Sequence, residues 1–295
     1  MNLIRSELMK IRTTNVWWLF GIGVLVFTAL SVTLWIFAGN QLIDDASSNA
    51  VFQPPPPEFE MSPEQLAEAQ RQFELQHDIS RVLSGAAAQI YTSGQFFGLL
   101  FVSLLGVILV TNEYYHQTAT ATFLTTPQRT KVILAKLGTA SLAALIFWVG
   151  TTAISGIAGS IFFSSKGYSS QLGEWPVTRA VLMNGLAYGL WGILGVGLGV
   201  LIRNQIGAVI TVAAGYLLGT YVVQIAAFLA SQLFKSDWVQ KASVIWPSVA
   251  SEAMVSTEPI FSNPPPWWVG ALILIGWGLV LGLVGTLITR KRDIA

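Results

Sequence analysis

The chain lacks cysteine altogether, has two histidines, and carries charge on only 11% of its 295 residues. Without cysteine there is no disulfide, no thiolate metal site and no cysteine nucleophile. His77 and His116 are far apart, with no zinc-ligand spacing around either, so no metal site is expected. The sequence also has no G-x-x-x-x-G-K-[ST] loop to cradle nucleotide phosphates, so it is not expected to hydrolyse ATP itself. No Ser, His and acid grouping suggests hydrolytic chemistry. The formal net charge is +1, and no nucleic-acid partner is expected. A soluble domain carries about 25% charged residues, more than twice the share here. Too little charge is available to keep such a chain in water.

What is abundant is apolar: 53% of residues are hydrophobic, with 11 Trp and 27 Gly. A spanning helix needs about 20 consecutive, mainly apolar residues. Six stretches qualify, at about 17–38, 91–111, 137–163, 180–202, 206–229 and 267–288, and none contains Asp, Glu, Lys, Arg or His. The reading is an all-α integral membrane protein forming one transmembrane domain over 1–295. The first stretch is too long for the core of a secretion signal and is read as a retained anchor. Ion-coupled carriers commonly place ionisable groups inside the membrane, and their absence from these windows argues against that class.

Lys and Arg stay preferentially on the cytoplasmic side. With the amino terminus inside, that side receives ten basic and three acidic residues; the other receives six basic and twelve acidic ones in longer loops. Both termini are therefore expected in the cytoplasm of a multi-pass protein of the cell membrane.

Three segments outside the spans carry further signals. Residues 39–90 contain Asp44, Asp45 and the run Pro54 to Pro57, which favours an extended strut. Ser62-Pro63-Glu64-Gln65 then reads as a capped helix start. Leu75, Ile79, Val82 and Ala86 continue at helical spacing, so a helix standing outside the membrane is expected to lead into the second span, bent near Gly85 or Gly94. Residues 230–266 form a second outer segment before Trp267 and Trp268. Those two and Trp17 with Trp18 suit interfacial anchors. The one inner loop of substance, 112–136, can hold a short helix, with Thr126 and Pro127 placed to start another that runs into the third span. At the amino terminus, Ile4, Leu8 and Ile11 share a helical face, away from Arg5, Lys10 and Arg12. With Glu7, these charges describe a basic amphipathic helix in the inner interface.

Small-xxx-small pairs at Gly185/Gly189, Gly195/Gly199, Gly215/Gly219 and Gly278/Gly282 allow close helix approach. In the fifth span, Tyr216, Tyr221 and Gln224 form a mildly polar stripe, open to two readings: hydrogen bonding within the subunit, or a face on a transport pathway.

The amino-terminal run Leu3 to Arg12 followed by Trp17-Trp18, and the inner loop with Glu113 through Thr118, then Leu124, Pro127, Arg129 and Lys136, resemble the type-2 class of ABC transporter permeases. Two departures stand out: Gln117 precedes Thr118 where that family usually has Gly, and the first outer loop is far longer. The resemblance implies a six-span exporter subunit that binds no cofactor itself. Two permeases, alike or different, would pair, each resting on a separate ATPase subunit that binds ATP and Mg. Glu113, Thr118, Pro127 and Arg129 would couple to that ATPase. The implied activity is export of an amphiphilic small molecule, drug, lipid or glycolipid drawn from the membrane. A non-transporting scaffold or sensor driven by a partner ATPase is the alternative.

Overall fold

The computed structural model describes residues 3–48, 51–54, 61–118, 120, 122, 124, 128–257 and 265–291. The described residues are helical, without strands. The elements are α1 (Leu3–Thr13), α2 (Val16–Ala46), α3 (Pro63–Gln76), α4 (Ile79–Tyr91), α5 (Gln95–Tyr115), α6 (Arg129–Ser165), α7 (Trp175–Leu201), α8 (Gln205–Phe234), α9 (Asp237–Ala242), a 3-10 turn (Ser243–Ile245), α10 (Pro247–Val255) and α11 (Trp267–Lys291). Six helical segments are long and apolar enough to cross a membrane, α4 and α5 together making the second. At about 1.5 Å per residue, the 37 residues of α6 reach roughly 55 Å, well beyond an apolar layer of about 30 Å. The helices therefore outrun the windows read from hydropathy, and charged residues enter them at their ends.

α5 and α7 pack at the centre, with α2, α8 and α11 at the periphery presenting apolar faces outward. The tight seam is made by glycine. A Cβ on Gly195 would stand 2.1 Å from the Ser103 carbonyl oxygen, and one on Gly199 2.9 Å from that of Val107. The 195/199 pair is thus a true backbone approach, made against α5. Gly215 faces open space, whereas Gly185 and Gly219 make room for the indoles of Trp148 and Trp246.

Two expectations need correction. The helix beginning at Ser62 forms its capping box, with Gln65 N–H donating to Ser62 Oγ at 3.2 Å and Ser62 N–H to Gln65 Oε1 at 2.8 Å. It does not run on to the second span. It stops at His77, and Asp78 caps a new helix by accepting from the N–H groups of Ser80 and Arg81. Nor does α4 stand apart: Leu83, Ala86, Ala87, Ile90 and Tyr91 are buried against α2, α6 and α7, around Ile43, Phe163 and Val177. The second break lies at Thr92–Gly94, near one of the two glycines expected. Its backbone is satisfied by side chains. Tyr188 OH donates to the Gly94 carbonyl at 2.8 Å, and Ser155 Oγ to that of Tyr91 at 3.0 Å. Broken helices persist at membrane depth only where such partners exist.

Residues 235–257 fold back onto the bundle as α9, the 3-10 turn and α10. Gln95 Nε2 donates to the Ser251 carbonyl at 3.0 Å, and Trp191 Nε1 to Ser251 Oγ at 2.8 Å. Val249, Ala250 and Met254 on α10 are fully buried against the bundle.

Candidate functional sites at the two ends of the bundle

At one end α1 lies across α6 and the end of α5. The residue it buries is Glu7, 1% exposed, whereas Ile4 is 43% exposed. The expected orientation, with Ile4, Leu8 and Ile11 as the apolar contact face, is therefore only partly realised: Ile11 packs inward beside Tyr114 and Leu137, and Glu7 lies on the same side. The reason is a set of partners distant in sequence. Lys136, 1% exposed, donates to Glu7 Oε2 at 2.7 Å, Glu113 Oε1 at 2.7 Å and the Leu109 carbonyl at 3.3 Å. Lys10 closes the ring, with Nζ 2.6 Å from Glu7 Oε1 and 2.5 Å from Glu113 Oε1. Two carboxylates face two ammonium groups, so the cluster is neutral. Burial opposes the charge on Lys10, but its hydrogen bonds to Glu113 and Glu7 outweigh it and raise its pKa above 10.5. Lys136 is thus inside the protein.

The same end is tied further. Arg129 Nη1 donates to the Thr289 carbonyl at 3.2 Å, linking the start of α6 to the end of α11. The Arg203 guanidinium lies 5.1 Å from the centre of the Tyr114 ring. α5 ends in a Schellman motif, in which Gln117 N–H donates to the Tyr114 carbonyl at 3.2 Å and Thr118 N–H to that of Glu113 at 2.9 Å. Gln117 takes the left-handed conformation, φ +57°, that glycine adopts freely. The turn therefore has the shape expected with Gly at that position, although the residue is Gln. Of the proposed coupling residues, Thr118 is exposed, Arg129 half-buried, and Glu113 enclosed in the ion cluster. Pro127 lies outside the described residues, as does Thr126. Arg5 and Arg12 are exposed.

At the other end, a cavity of about 270 Å³ opens beside the α4/α5 break. It brings together all three residues of the polar stripe, Tyr216, Tyr221 and Gln224, with Trp35, Phe96 and Glu252. Tyr216 is 5% exposed, its ring wedged against Trp191 and Phe96. Gln224 Nε2 donates to Glu252 Oε2 at 3.3 Å. The Glu252 carboxyl sits at the rim. Desolvation there raises its pKa above the ordinary value of 4.5, partly offset by the Gln224 amide. Sequence reading missed Ser248, Ser251 and Glu252. The available signal was Trp246-Pro247-Ser248, a helix start with Pro at its first position, which forms α10.

A larger groove, about 750 Å³, runs between the far end of α2 and α3–α4, lined by Trp35, Leu42, Phe73, Val82, His77 and Arg81 among others. No group of three or more His, Asp or Glu side chains that could hold a metal ion occurs among the described residues. Comparison with profiles of known protein families and with characterised proteins finds no match to this chain.

Proposed function

We propose that this chain is the membrane permease subunit of an ATP-driven exporter, a type-2 ABC permease, that moves an amphiphilic small molecule, drug, lipid or glycolipid out of the cell. The observation that carries the reading is the buried ion cluster: it welds α1, the end of α5 and the start of α6 into one rigid body around the 112–136 loop. The work comes, on this reading, from another polypeptide, since the chain has no phosphate loop of its own, and a stiff lever at one end is what such delivery requires. In this reading the α1 end faces the cytoplasm, with its excess of Lys and Arg, and both termini lie there. α1 is the interfacial helix and the 112–136 loop rests on the ATPase, which binds ATP and Mg. Thr118 and Pro127 belong to the contact surface. Glu113 and Arg129 hold the lever from within. A second permease, identical or related, completes the complex.

Affinity purification of the full chain from its native membrane tests this. A nucleotide-hydrolysing subunit is expected at one copy per permease, with substrate taken up into inverted vesicles only when ATP is present. Recovery of the chain without such a subunit, or solute accumulation by the chain alone, overturns the reading. The alternative, a scaffold or sensor in which a partner ATPase moves the outer helices, is favoured by the 750 Å³ groove at α2–α4. Replacing residues 51–76 with a flexible linker, which leaves the packed residues of α2 and α4 in place, separates the two: an exporter retains transport with altered partner binding, whereas a sensor loses its response to the partner ATPase.

A further inference from the structure

The cavity at the α4/α5 break has an unusual charge inventory. Glu252 is its one carboxylate, and no described Lys, Arg or His lines it or pairs with that group. Around the carboxylate stand neutral hydroxyls and amides: Gln89, Gln95, Thr220, Gln224 and Ser248. The Ser93 hydroxyl, on a residue 7% exposed that lines the same cavity, finds no hydrogen-bond partner. Four aromatic side chains, Trp35, Phe96, Tyr216 and Tyr221, form much of the remaining wall.

Each element narrows the ligand. A partly desolvated carboxylate without a countercharge repels anions and gains most from a cation. One carboxylate among neutral oxygens is too few charges for a hard divalent metal ion such as Ca2+, which takes six or more oxygen ligands, usually with several carboxylates. Aromatic faces attract a diffuse organic cation through their quadrupoles and contact its apolar substituents. Trp35, 39% exposed, and Tyr221, 56% exposed, leave the site open along the α2 and α8 sides, where an apolar tail can remain in lipid. We propose that this cavity binds the positively charged head of an amphiphile, an organic ammonium, with Glu252 as its countercharge and the four aromatic side chains as its walls. This deepens the export reading by naming the cargo class and rests on that reading for what the bound cation is there to do.

Binding itself needs no ATPase, so the full chain in lipid nanodiscs suffices. Three probes of matched size are titrated by ligand-observed NMR, with protein-free nanodiscs subtracted: benzyltrimethylammonium, its neutral isostere neopentylbenzene, and benzylsulfonate. The cation is expected to bind at least tenfold more tightly than either of the others. Glu252→Gln should weaken the cation about tenfold with its melting temperature retained, and Glu252→Asp should keep most of the affinity. Equal binding of the sulfonate or the neutral isostere to the unmodified chain overturns the proposal without relying on any variant, as does undiminished cation binding by Glu252→Gln. Such a failure leaves the exporter reading standing. Purification without an ATPase, conversely, leaves the cation site standing.

Discussion

Replacing Lys136 with methionine removes an ammonium group that touches two carboxylates and a backbone carbonyl inside the protein. Methionine fills much of the volume but leaves Glu7 and Glu113 sharing Lys10 alone, a net charge of −1 with little access to water. Removing one partner of a buried pair costs about 3–5 kcal/mol, because the remaining charge is left uncompensated. At about 2–4 °C per kcal/mol, that is a fall of about 10 °C in melting temperature. Lys10 makes the same kind of contacts, yet its side chain is 39% exposed, so water can take its place. Lys10→Met should therefore lose only about 1 kcal/mol. The double variant Glu7→Gln with Lys136→Met removes one carboxylate along with the ammonium and should melt above Lys136→Met alone. The assay is thermal unfolding of the purified full chain in one detergent, read by monodisperse fluorescence on size exclusion. Two results refute the reasoning: equal losses for Lys136→Met and Lys10→Met, or a Glu7→Gln effect that adds to Lys136→Met instead of relieving it.

Other outcomes follow from the same coordinates and can be read in the same melt. Gln117→Gly, at φ +57°, should stabilise by about 1 kcal/mol, because the left-handed conformation loses its side-chain penalty while both Schellman bonds remain. Gly195→Ala drives a Cβ into the Ser103 carbonyl and should cost about 3 kcal/mol or abolish the monodisperse peak, whereas Gly215→Ala meets open space and should be neutral or slightly stabilising. The raised pKa of Lys10 means its ion pairs contribute fully below 10.5 and are lost as pH rises through the folded-state value. The difference in stability between the unmodified chain and Lys10→Met should therefore stay constant through the neutral range and shrink only above 10.5. Tyr188→Phe removes one of the two donors to the buried Gly94 carbonyl, the Gly98 N–H at 2.9 Å remaining, and should destabilise by about 1 kcal/mol.

The sequence reading placed the spans close to where the helices run, but how far each helix extends was not legible. α2 continues to Ala46, past the point where hydropathy falls, because a helix does not stop where lipid ends; only for α6, which begins at Arg129, did the sequence mark a start outside the apolar window, at Thr126 and Pro127. The stripe of Tyr216, Tyr221 and Gln224 was visible from helical spacing. Its completion by Glu252 was not, since that residue comes from a segment with no apolar run of its own. Glu7 and Lys136 are 129 residues apart, and nothing in either local context marks the other as its partner.

Local chemistry alone determined that this chain lives among apolar helices, where the charge lies along it, and that it carries no phosphate loop. Those properties depend on residue type and short spacing, which a linear string contains. Tertiary structure alone decided that four charges at the α1 end neutralise one another in a buried ring, that Gly195 and not Gly215 lies against a neighbouring backbone, and that one unpaired carboxylate faces an aromatic cavity. Each is a contact between residues far apart in the chain, and burial is a property of what surrounds a residue, which no stretch of sequence states.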